Sequence, residues 1–282
     1  MNERYPAPAK LNLMLRVIGQ RSDGYHDLQT VFQFVELADQ IQFSSRPAGQ
    51  FSRSGGPEGV TEADDLSLRA ARYLADVSGA REGVHIHLDK ILPMGGGIGG
   101  GSSDAATTLI ILNRLWRTGL RRAELMQIGA RLGADVPVFI FGHSAWAEGV
   151  GERLQVLDGL PESHYVLLHP QVSVSTREIF TAPELTRHHA PITIGAFLGG
   201  TVENTLEPMV RARYPEVDRG IRWLMNQQGM GTVRLTGSGA CVFGVVADAA
   251  SARRIAARAP APWHAWPVRG RNVHPLYDPA EQ

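Results

Sequence analysis

Apolar and polar residues alternate in the first segment of the chain that can form a core strand. The apolar positions fall at every second residue, at Leu11, Leu13, Leu15 and Val17. This period of two predicts a half-buried strand and places Lys10 and Asn12 together on its polar face. The stretch RSDGYHD (21–27) then predicts a turn, and residues 28–37 predict a returning strand. A further alternation at 84–88 predicts another strand.

Helical spacing appears in several later segments. Apolar residues recur every three or four positions over 66–77, 105–116 and 121–132, with Asp64 or Asp65 as the N-cap of the first helix and Gly133 as the C-cap of the last. Further along, the pattern predicts strands at 164–169, 232–236 and 241–246 and helices at 216–228 and 247–258. Residues 44–60 predict a surface loop, and the tail after Pro260 carries little signal. Interleaved strands and helices indicate an α/β or α+β protein with two domains that join near 150–165.

Composition excludes several classes of protein. The 282 residues include 28 basic and 28 acidic side chains, which gives a net charge of zero and argues against a general nucleic-acid or membrane-surface binder. Cys241 is the single cysteine, so no internal disulfide can form. The N-terminus lacks the features of a secretory signal, and no apolar run of about 18 residues suggests a membrane span. We expect a cytoplasmic globular protein, with no obligate protein partner evident.

One stretch, PMGGGIGGGSSD (93–104), contains six glycines. Their backbone entropy costs roughly 3–6 kcal/mol relative to alanine, so the segment needs a reason. It precedes a predicted helix, where unpaired amides and the helix dipole attract anions, and glycines let a phosphate approach the backbone. A di- or triphosphate site explains the segment best; a tight connection with positive φ angles is the alternative. The P-loop pattern fails, because Ser102 stands where lysine is required. A dinucleotide site is disfavoured as well, because no acidic residue follows at the end of a second strand.

The extended loop, PMGGGIGGGSSDAAT, is similar to the ATP loop of the GHMP superfamily, which includes galactokinase, homoserine kinase and mevalonate kinase. Its long glycine run resembles one branch, the kinases of 4-diphosphocytidyl-2-C-methyl-D-erythritol. Supporting segments occur in the order of that branch: PAPAKLNLML (6–15), RSDGYHDLQTVFQ (21–33), GADVPVFIFGHSAWAEGVGE (133–152) and RLTGSGACVF (234–243). Together these motifs are specific, whereas the loop alone would indicate only the superfamily.

The resemblance implies a fold, a reaction and a division of the chain. It implies an α+β fold, with an ATP-binding domain similar to ribosomal protein S5 domain 2 at 1–155 and a ferredoxin-like substrate-binding domain at 156–282. It implies that ATP, with Mg2+, phosphorylates the 2-hydroxyl of the cytidine-diphosphate-linked polyol, a step of non-mevalonate isoprenoid synthesis. The residues it implies for ATP binding are Pro93, Met94, Gly95, Gly96, Gly97, Ile98, Gly99, Gly100, Gly101, Ser102 and Ser103. No carboxylate ligand for the metal can be assigned, and Ser103 is the candidate contact.

Two residues are candidates for the chemistry. Asp135, just before Val136-Pro137, could accept the proton of the attacking hydroxyl, although a helix cap is an equal alternative from local sequence. Lys10 could stabilise the charge of the transferring phosphoryl group, although a lone strand lysine is usually solvated. Only the resemblance brings these two residues together, and it implies the catalytic role for both.

Several residues are candidates for binding the cytidine substrate. The resemblance implies that Tyr25 stacks on cytosine and His26 bonds its polar edge. The full set of predicted substrate contacts is Asn12, Tyr25, His26, Val150, Thr176 and Phe180, with Phe180 covering the other face of the base. A second glycine turn, Gly237, Ser238 and Gly239, is a candidate phosphate contact, with a simple hairpin connection as its alternative.

Two other functions remain open at this stage. One is another kinase of the superfamily, acting on homoserine, mevalonate or a sugar, which would have no use for Tyr25 and Phe180 as base contacts. The other is a nucleotide sensor without catalysis, which the presence of both Lys10 and Asp135 argues against.

Overall fold

A computed structural model describes residues 3–57 and 59–277. The first half contains, in chain order, β1 (Tyr5–Gln20), β2 (His26–Arg46), β3 (Phe51–Gly55), α1 (Leu66–Ser78), β4 (Gly83–Asp89), α2 (Gly100–Leu115), α3 (Arg122–Leu132), α4 (Val136–Phe141), β5 (Ala145–Gly149) and β6 (Arg153–Val156). The second half contains β7 (His164–His169), α5 (Thr176–Thr181), α6 (Ile194–Leu198), α7 (Glu207–Arg213), α8 (Pro215–Met225), β8 (Met230–Leu235), β9 (Val242–Val246), α9 (Ala249–Ala256), β10 (His264–Arg271) and a 3-10 turn, Pro275–Tyr277. None of the described helices combines the length and hydropathy needed to cross a membrane.

A long hairpin formed by β1 and β2 organises the first half. The strands pair antiparallel from Tyr5 with Ile41 to Gln20 with His26, and the predicted turn connects them. β2 extends to Arg46, beyond the predicted end at 37, because its second part also pairs with β4. Register shifts in β1 interrupt the strict alternation, and the strand is buried on both faces. Lys10 and Asn12 do share a face, but that face is buried inside the protein rather than solvated.

The segment 44–60 was expected to be a surface loop, and that expectation is wrong. β2 continues through its first residues, and β3 pairs parallel with β4. Phe51 stands edge-on to Trp116, and Ser52 hydrogen-bonds His85 Nδ1 at 2.9 Å, so β3 gains both an apolar and a polar partner from distant parts of the chain. Local Ser, Gly and Pro content did not predict these contacts.

The predicted helices of the first half are confirmed. α1 begins after Asp65, whose Oδ1 accepts hydrogen bonds from the amides of Ser67 and Leu68, both at 3.0 Å. α2 begins within the glycine segment, at Gly100, so part of that segment is helix. α3 ends at Gly133 as predicted, with an extended backbone there.

The second half has the topology that the resemblance implied. Its strands lie in the order β10-β7-β9-β8 and are antiparallel, with helices after β7 and after β9. This β-α-β-β-α-β arrangement is the ferredoxin-like pattern, and the α+β class is confirmed. β10 lies in the tail after Pro260, which carried little sequence signal. It also pairs with β2 through Gly270 and Arg271, and this pairing connects the sheets of the two halves.

Three buried apolar clusters stabilise the described residues. One joins the first-half strands to α1–α4, and a second joins the second-half strands to α8 and α9. The third combines residues from both sides of position 155, among them Leu11, Ile98, Leu167 and Phe243. The division into domains at 155/156 therefore stays a prediction, with a buried contact across it.

Candidate active site

A cavity of about 740 Å³ opens between the β1–β2 hairpin, the glycine segment, α5 and the turn at 236–240. It gathers residues from distant parts of the sequence. Those predicted as site residues that line it are Lys10, Asn12, Tyr25, His26, Gly97, Ser102, Asp135, Val150, Thr176, Phe180, Gly237 and Ser238.

The glycine segment packs against the second glycine turn. The amide of Ala240 donates to Gly95 O at 2.9 Å, and the amide of Cys241 donates to Gly96 O at 3.0 Å. Gly97 has φ +69, and a Cβ there would lie 2.4 Å from Thr236 O. Backbone packing therefore requires some of these glycines, in addition to any role in binding phosphate.

The same segment has a polarised backbone. The carbonyls of residues 95–99 all accept hydrogen bonds from the protein, including Gly97 O from Lys10 Nζ at 3.0 Å and Ile98 O from the Lys10 amide at 3.0 Å. The amides of residues 95–102 donate no hydrogen bond within the described part of the chain. Eight successive free N–H groups at the start of a long helix form the kind of nest that binds phosphate.

The other predicted ATP contacts differ in exposure. Met94 is exposed and Pro93 is half-buried. The side chains of Ile98 and Ser103 are buried, the amide of Ser103 donates to Gly99 O, and its hydroxyl has no partner among the described residues. Ser102 lines the cavity, so its hydroxyl is better placed than that of Ser103 to reach a ligand.

Lys10 lies at the centre of the site, with 2 % of its surface exposed. Its ammonium lies 2.6 Å from Asn12 Oδ1, 3.0 Å from Gly97 O and 3.3 Å from Asp135 Oδ2. An ammonium has three N–H donors, so these three oxygens hold it in one position. The pairing of Lys10 with Asp135 joins β1 to the α3–α4 connection.

Asp135 occupies the N-cap position of α4, but its side chain caps no amide. The carboxylate is 38 % exposed and lines the cavity. The capping alternative therefore does not account for this side chain, and one face of the carboxylate stays open to a ligand.

The predicted base-binding residues line the same cavity. The His26 and Phe180 rings are 5.2 Å apart and tilted by 40°, while Tyr25 is 62 % exposed. Burial, and to a lesser extent the charge of Arg187, lowers the pKa of His26 and favours the neutral imidazole. Thr176 Oγ1 lies 2.7 Å from Ser238 Oγ, which ties α5 to the second glycine turn.

Sequence reasoning missed several residues that support the site. Thr30 Oγ1 accepts from Asn12 Nδ2 at 2.8 Å, and Thr236 Oγ1 accepts from the Asn12 amide at 2.9 Å. Arg187 Nε donates to His26 Nε2 at 3.2 Å. These contacts join segments 18 to 224 residues apart, so no local pattern could have indicated them.

A buried ionic cluster lies beneath the glycine segment. Lys90 Nζ donates to Asp39 Oδ2 at 2.5 Å and to Asp104 Oδ2 at 2.6 Å, and Asp39 Oδ1 accepts the amides of Ile91 and Leu92. Burial raises the pKa of Asp104 to about 7, against the opposing effect of Lys90. The cluster fastens both ends of the segment to β2, because Lys90 lies just before the segment and Asp104 is its last residue, within α2.

No metal site is complete among the described residues, since no three His, Cys, Asp or Glu side chains come close enough together. His85 and His87, which lie on one face of β4, hydrogen-bond serines of β3. The side chains of the described residues therefore do not identify the metal ligands that the sequence left unassigned.

Comparison with known proteins shows which families and solved structures this chain resembles. Residues 65–143 match the family model of the GHMP kinases N terminal domain, and residues 182–265 match that of the GHMP kinases C terminal. The 4-diphosphocytidyl-2-C-methyl-D-erythritol kinase of Azoarcus sp. is 53% identical over 96% of this chain and 95% of its own length. The enzyme of the same name from Thiobacillus denitrificans is 51% identical over 99% of both chains.

Solved structures agree with these matches. A crystal structure of 4-(cytidine 5'-diphospho)-2C-methyl-D-erythritol kinase has a TM-score of 0.84 and 34% identity over 95% of this chain and 99% of that one. A mevalonate kinase has a TM-score of 0.68 at 13% identity, covering 96% of this chain and 100% of that one, which shows a shared fold.

Proposed function

The chain belongs to the GHMP kinase family, and from this premise we propose that it transfers a phosphoryl group from ATP to the 2-hydroxyl of 4-diphosphocytidyl-2-C-methyl-D-erythritol. The products are the 2-phosphate and ADP, in the non-mevalonate route to isoprenoid precursors. The observation that carries the proposal is the approach of Lys10 Nζ to Asp135 Oδ2, at 3.3 Å, in the cavity that the glycine segment borders.

ATP binds, in this proposal, with its phosphates on the free amides of residues 95–102. The partial positive charge at the start of α2 adds to their attraction for the anion. Gly237, Ser238 and Gly239 close the phosphate site from the other side, and Gly237 and Ser238 already line the cavity.

Asp135 acts as the general base. Its open carboxylate face accepts the proton of the substrate 2-hydroxyl while the hydroxyl oxygen bonds to the γ-phosphorus and the bond from that phosphorus to the ADP oxygen breaks. Lys10, held in position by three oxygens, stabilises the negative charge on the transferring group. Asn12 orients Lys10 and presents the polar edge of its amide to the substrate.

The cytidine end of the substrate occupies the part of the cavity bordered by Tyr25, His26 and Phe180. The exposed Tyr25 ring provides a stacking surface, and Phe180 encloses the base from α5. His26 contacts its hydrogen-bonding edge, and Val150 and Thr176 complete the walls of the pocket.

Mg2+ accompanies ATP in this proposal. The cavity offers one oxygen ligand of the type that Mg2+ prefers, the Ser102 hydroxyl, and phosphate oxygens and water would supply the rest. When bound, the ion neutralises phosphate charge that develops during transfer.

The main alternative is another activity of the same family. Mevalonate and homoserine carry no base, so they would leave the Tyr25–His26–Phe180 part of the cavity without a ligand. The His26 and Phe180 rings, whose centroids lie 5.2 Å apart, therefore favour the cytidine-linked substrate.

The test is an assay of the purified protein with MgATP and a panel of alcohols: the cytidine-linked polyol, mevalonate, homoserine and galactose. We expect ADP formation with the cytidine-linked polyol alone, and a product whose mass has increased by one phosphoryl group. Turnover of mevalonate or homoserine without turnover of that polyol would reject the proposal. ATP binding without ADP formation on any alcohol would favour a sensor.

A further inference from the structure

Arg187 joins the base-binding histidine to the helix that carries Phe180. Its Nε donates to His26 Nε2 at 3.2 Å. Its two terminal nitrogens donate to carbonyls at the end of α5 and in the following loop, at 2.6 Å for Ala182 O and 3.1 Å for Leu185 O. The planar guanidinium therefore fixes the imidazole relative to α5.

The direction of the hydrogen bond between Arg187 and His26 determines where the imidazole carries its proton. A guanidinium remains protonated and can only donate, so His26 Nε2 must accept. A histidine whose Nε2 accepts is neutral and has its proton on Nδ1. Burial and the charge of Arg187 lower the pKa of His26, in agreement with a neutral ring. Nδ1 has no hydrogen-bond partner within the described residues, and the side chain lines the cavity.

An Nδ1–H group can pair only with an acceptor. On the Watson–Crick edge of cytosine, N3 and O2 accept and the exocyclic amine donates, whereas N3 of uracil carries a proton and donates. A fixed N–H donor at this position therefore favours cytosine over uracil wherever it meets N3.

We propose that Arg187 is a positioning residue for base recognition, which keeps the His26 proton on Nδ1 and so presents a fixed donor to a cytosine base. The inference deepens the proposed function and rests on its cytidine-linked substrate. Arg187 itself contacts neither the base nor the reacting atoms in this arrangement.

The direct test is the tautomer of His26 in 15N-labelled, ligand-free protein, read from the NMR shifts of its ring nitrogens. His26→Gln identifies the signals. We expect a protonated Nδ1 and an unprotonated Nε2 in the wild type, and protonation of Nε2 in a large part of the Arg187→Ala molecules. A wild-type ring protonated on Nε2, or a tautomer unchanged in Arg187→Ala, would overturn the inference.

Calorimetry with CDP and UDP provides a second reading. In Arg187→Ala, the loss of one positioned hydrogen bond should weaken CDP binding by about three- to tenfold. The preference of this variant for CDP over UDP should also decrease. The KM for the cytidine-linked substrate should rise by a similar factor, while the KM for ATP stays within about twofold. Equal losses for CDP and UDP, or for ATP, would indicate a general structural defect and reject the specific role.

Arg213→Ala is the matched control. Arg213 pairs with Glu184, which lies in the same loop as Arg187, but Arg213 itself makes no contact with His26. This control should change neither the tautomer nor the CDP preference. Arg187→Lys serves if the alanine variant does not fold, since it retains the charge without the planar fork, and we expect it also to release the tautomer.

The outcomes separate this inference from the proposed function. Absence of turnover with the cytidine-linked polyol would reject the function whatever the tautomer. Normal turnover combined with an unchanged tautomer in both Arg187 variants would reject only the inference.

Discussion

Replacement of Asp135 by asparagine tests the chemical role of this residue with little change in shape. The amide retains one oxygen that can face Lys10 but cannot accept the hydroxyl proton. We expect turnover to fall by about 10²–10⁴, which is the usual contribution of a general base and corresponds to roughly 3–5 kcal/mol of activation free energy.

The geometry predicts a much smaller effect on stability. At an effective dielectric constant of about 20, two unit charges 3.3 Å apart attract by roughly 5 kcal/mol. Because the Asp135 side chain is 38 % exposed, solvent screening reduces the net contribution to at most about 1 kcal/mol. Lys10 also keeps Asn12 Oδ1 and Gly97 O as partners. A large loss of turnover should therefore accompany a small change in the free energy of unfolding.

The assay measures steady-state turnover, the dissociation constant of ATP by calorimetry, and urea unfolding of the same preparations. Asp158→Asn is the control, since Asp158 is an exposed carboxylate without a described partner. Turnover of Asp135→Asn within about tenfold of wild type would refute the base assignment. A fall in turnover that parallels unfolding or loss of ATP binding would assign Asp135 a structural role instead.

Four further substitutions test other parts of the site and of the segment that borders it. Tyr25→Ala should weaken calorimetric binding of the cytidine-linked substrate by roughly 1–3 kcal/mol and leave ATP binding unchanged; equal losses for both ligands would contradict stacking. Gly97→Ala should lower the free energy of unfolding by about 1–3 kcal/mol and weaken ATP binding, because φ is +69 and its Cβ would lie 2.4 Å from Thr236 O. Gly101→Ala should not destabilise the fold, because its added Cβ would lie 3.6 Å from the nearest atom, in ordinary van der Waals contact. Burial raises the pKa of Asp104 to about 7, so the folded state binds this proton more tightly and the free energy of unfolding falls as pH rises from about 4 to about 7. Asp104→Asn should flatten that slope in urea titrations, and an unchanged slope would contradict the linkage.

Most regular elements could be predicted because their signals are local. The helix over 66–77 has both an apolar stripe and an N-cap, and the structure confirms it as α1 with Asp65 as its cap. The strand at 164–169 is a short apolar run that β7 matches residue for residue. In each case, the residues of the element itself were sufficient to predict it.

The failures share a physical cause, which is pairing with distant segments. β3 depends on β4 and Trp116, and β10 depends on β7 and β2, so their own residues show no clear period. The candidate site also depends on contacts between distant segments. The motif resemblance named Lys10 and Asp135, but the contact of Arg187 with His26 spans 161 residues and has no motif.

The backbone of the glycine segment explains why six glycines persist in a chain that must also fold stably. Its carbonyls at 95–99 already accept hydrogen bonds from Lys10, Ser103, Ala240 and Cys241, so each of these peptide planes is held with its oxygen toward the protein. Three positive φ angles, at Gly95, Gly97 and Gly99, are needed to turn successive planes in this way. The folding energy lost to glycine is therefore offset by hydrogen bonds within the protein before any ligand binds. In the proposed complex with ATP, the phosphates would meet donors that need no reorganisation, and preorganised donors of this kind stabilise developing charge most effectively.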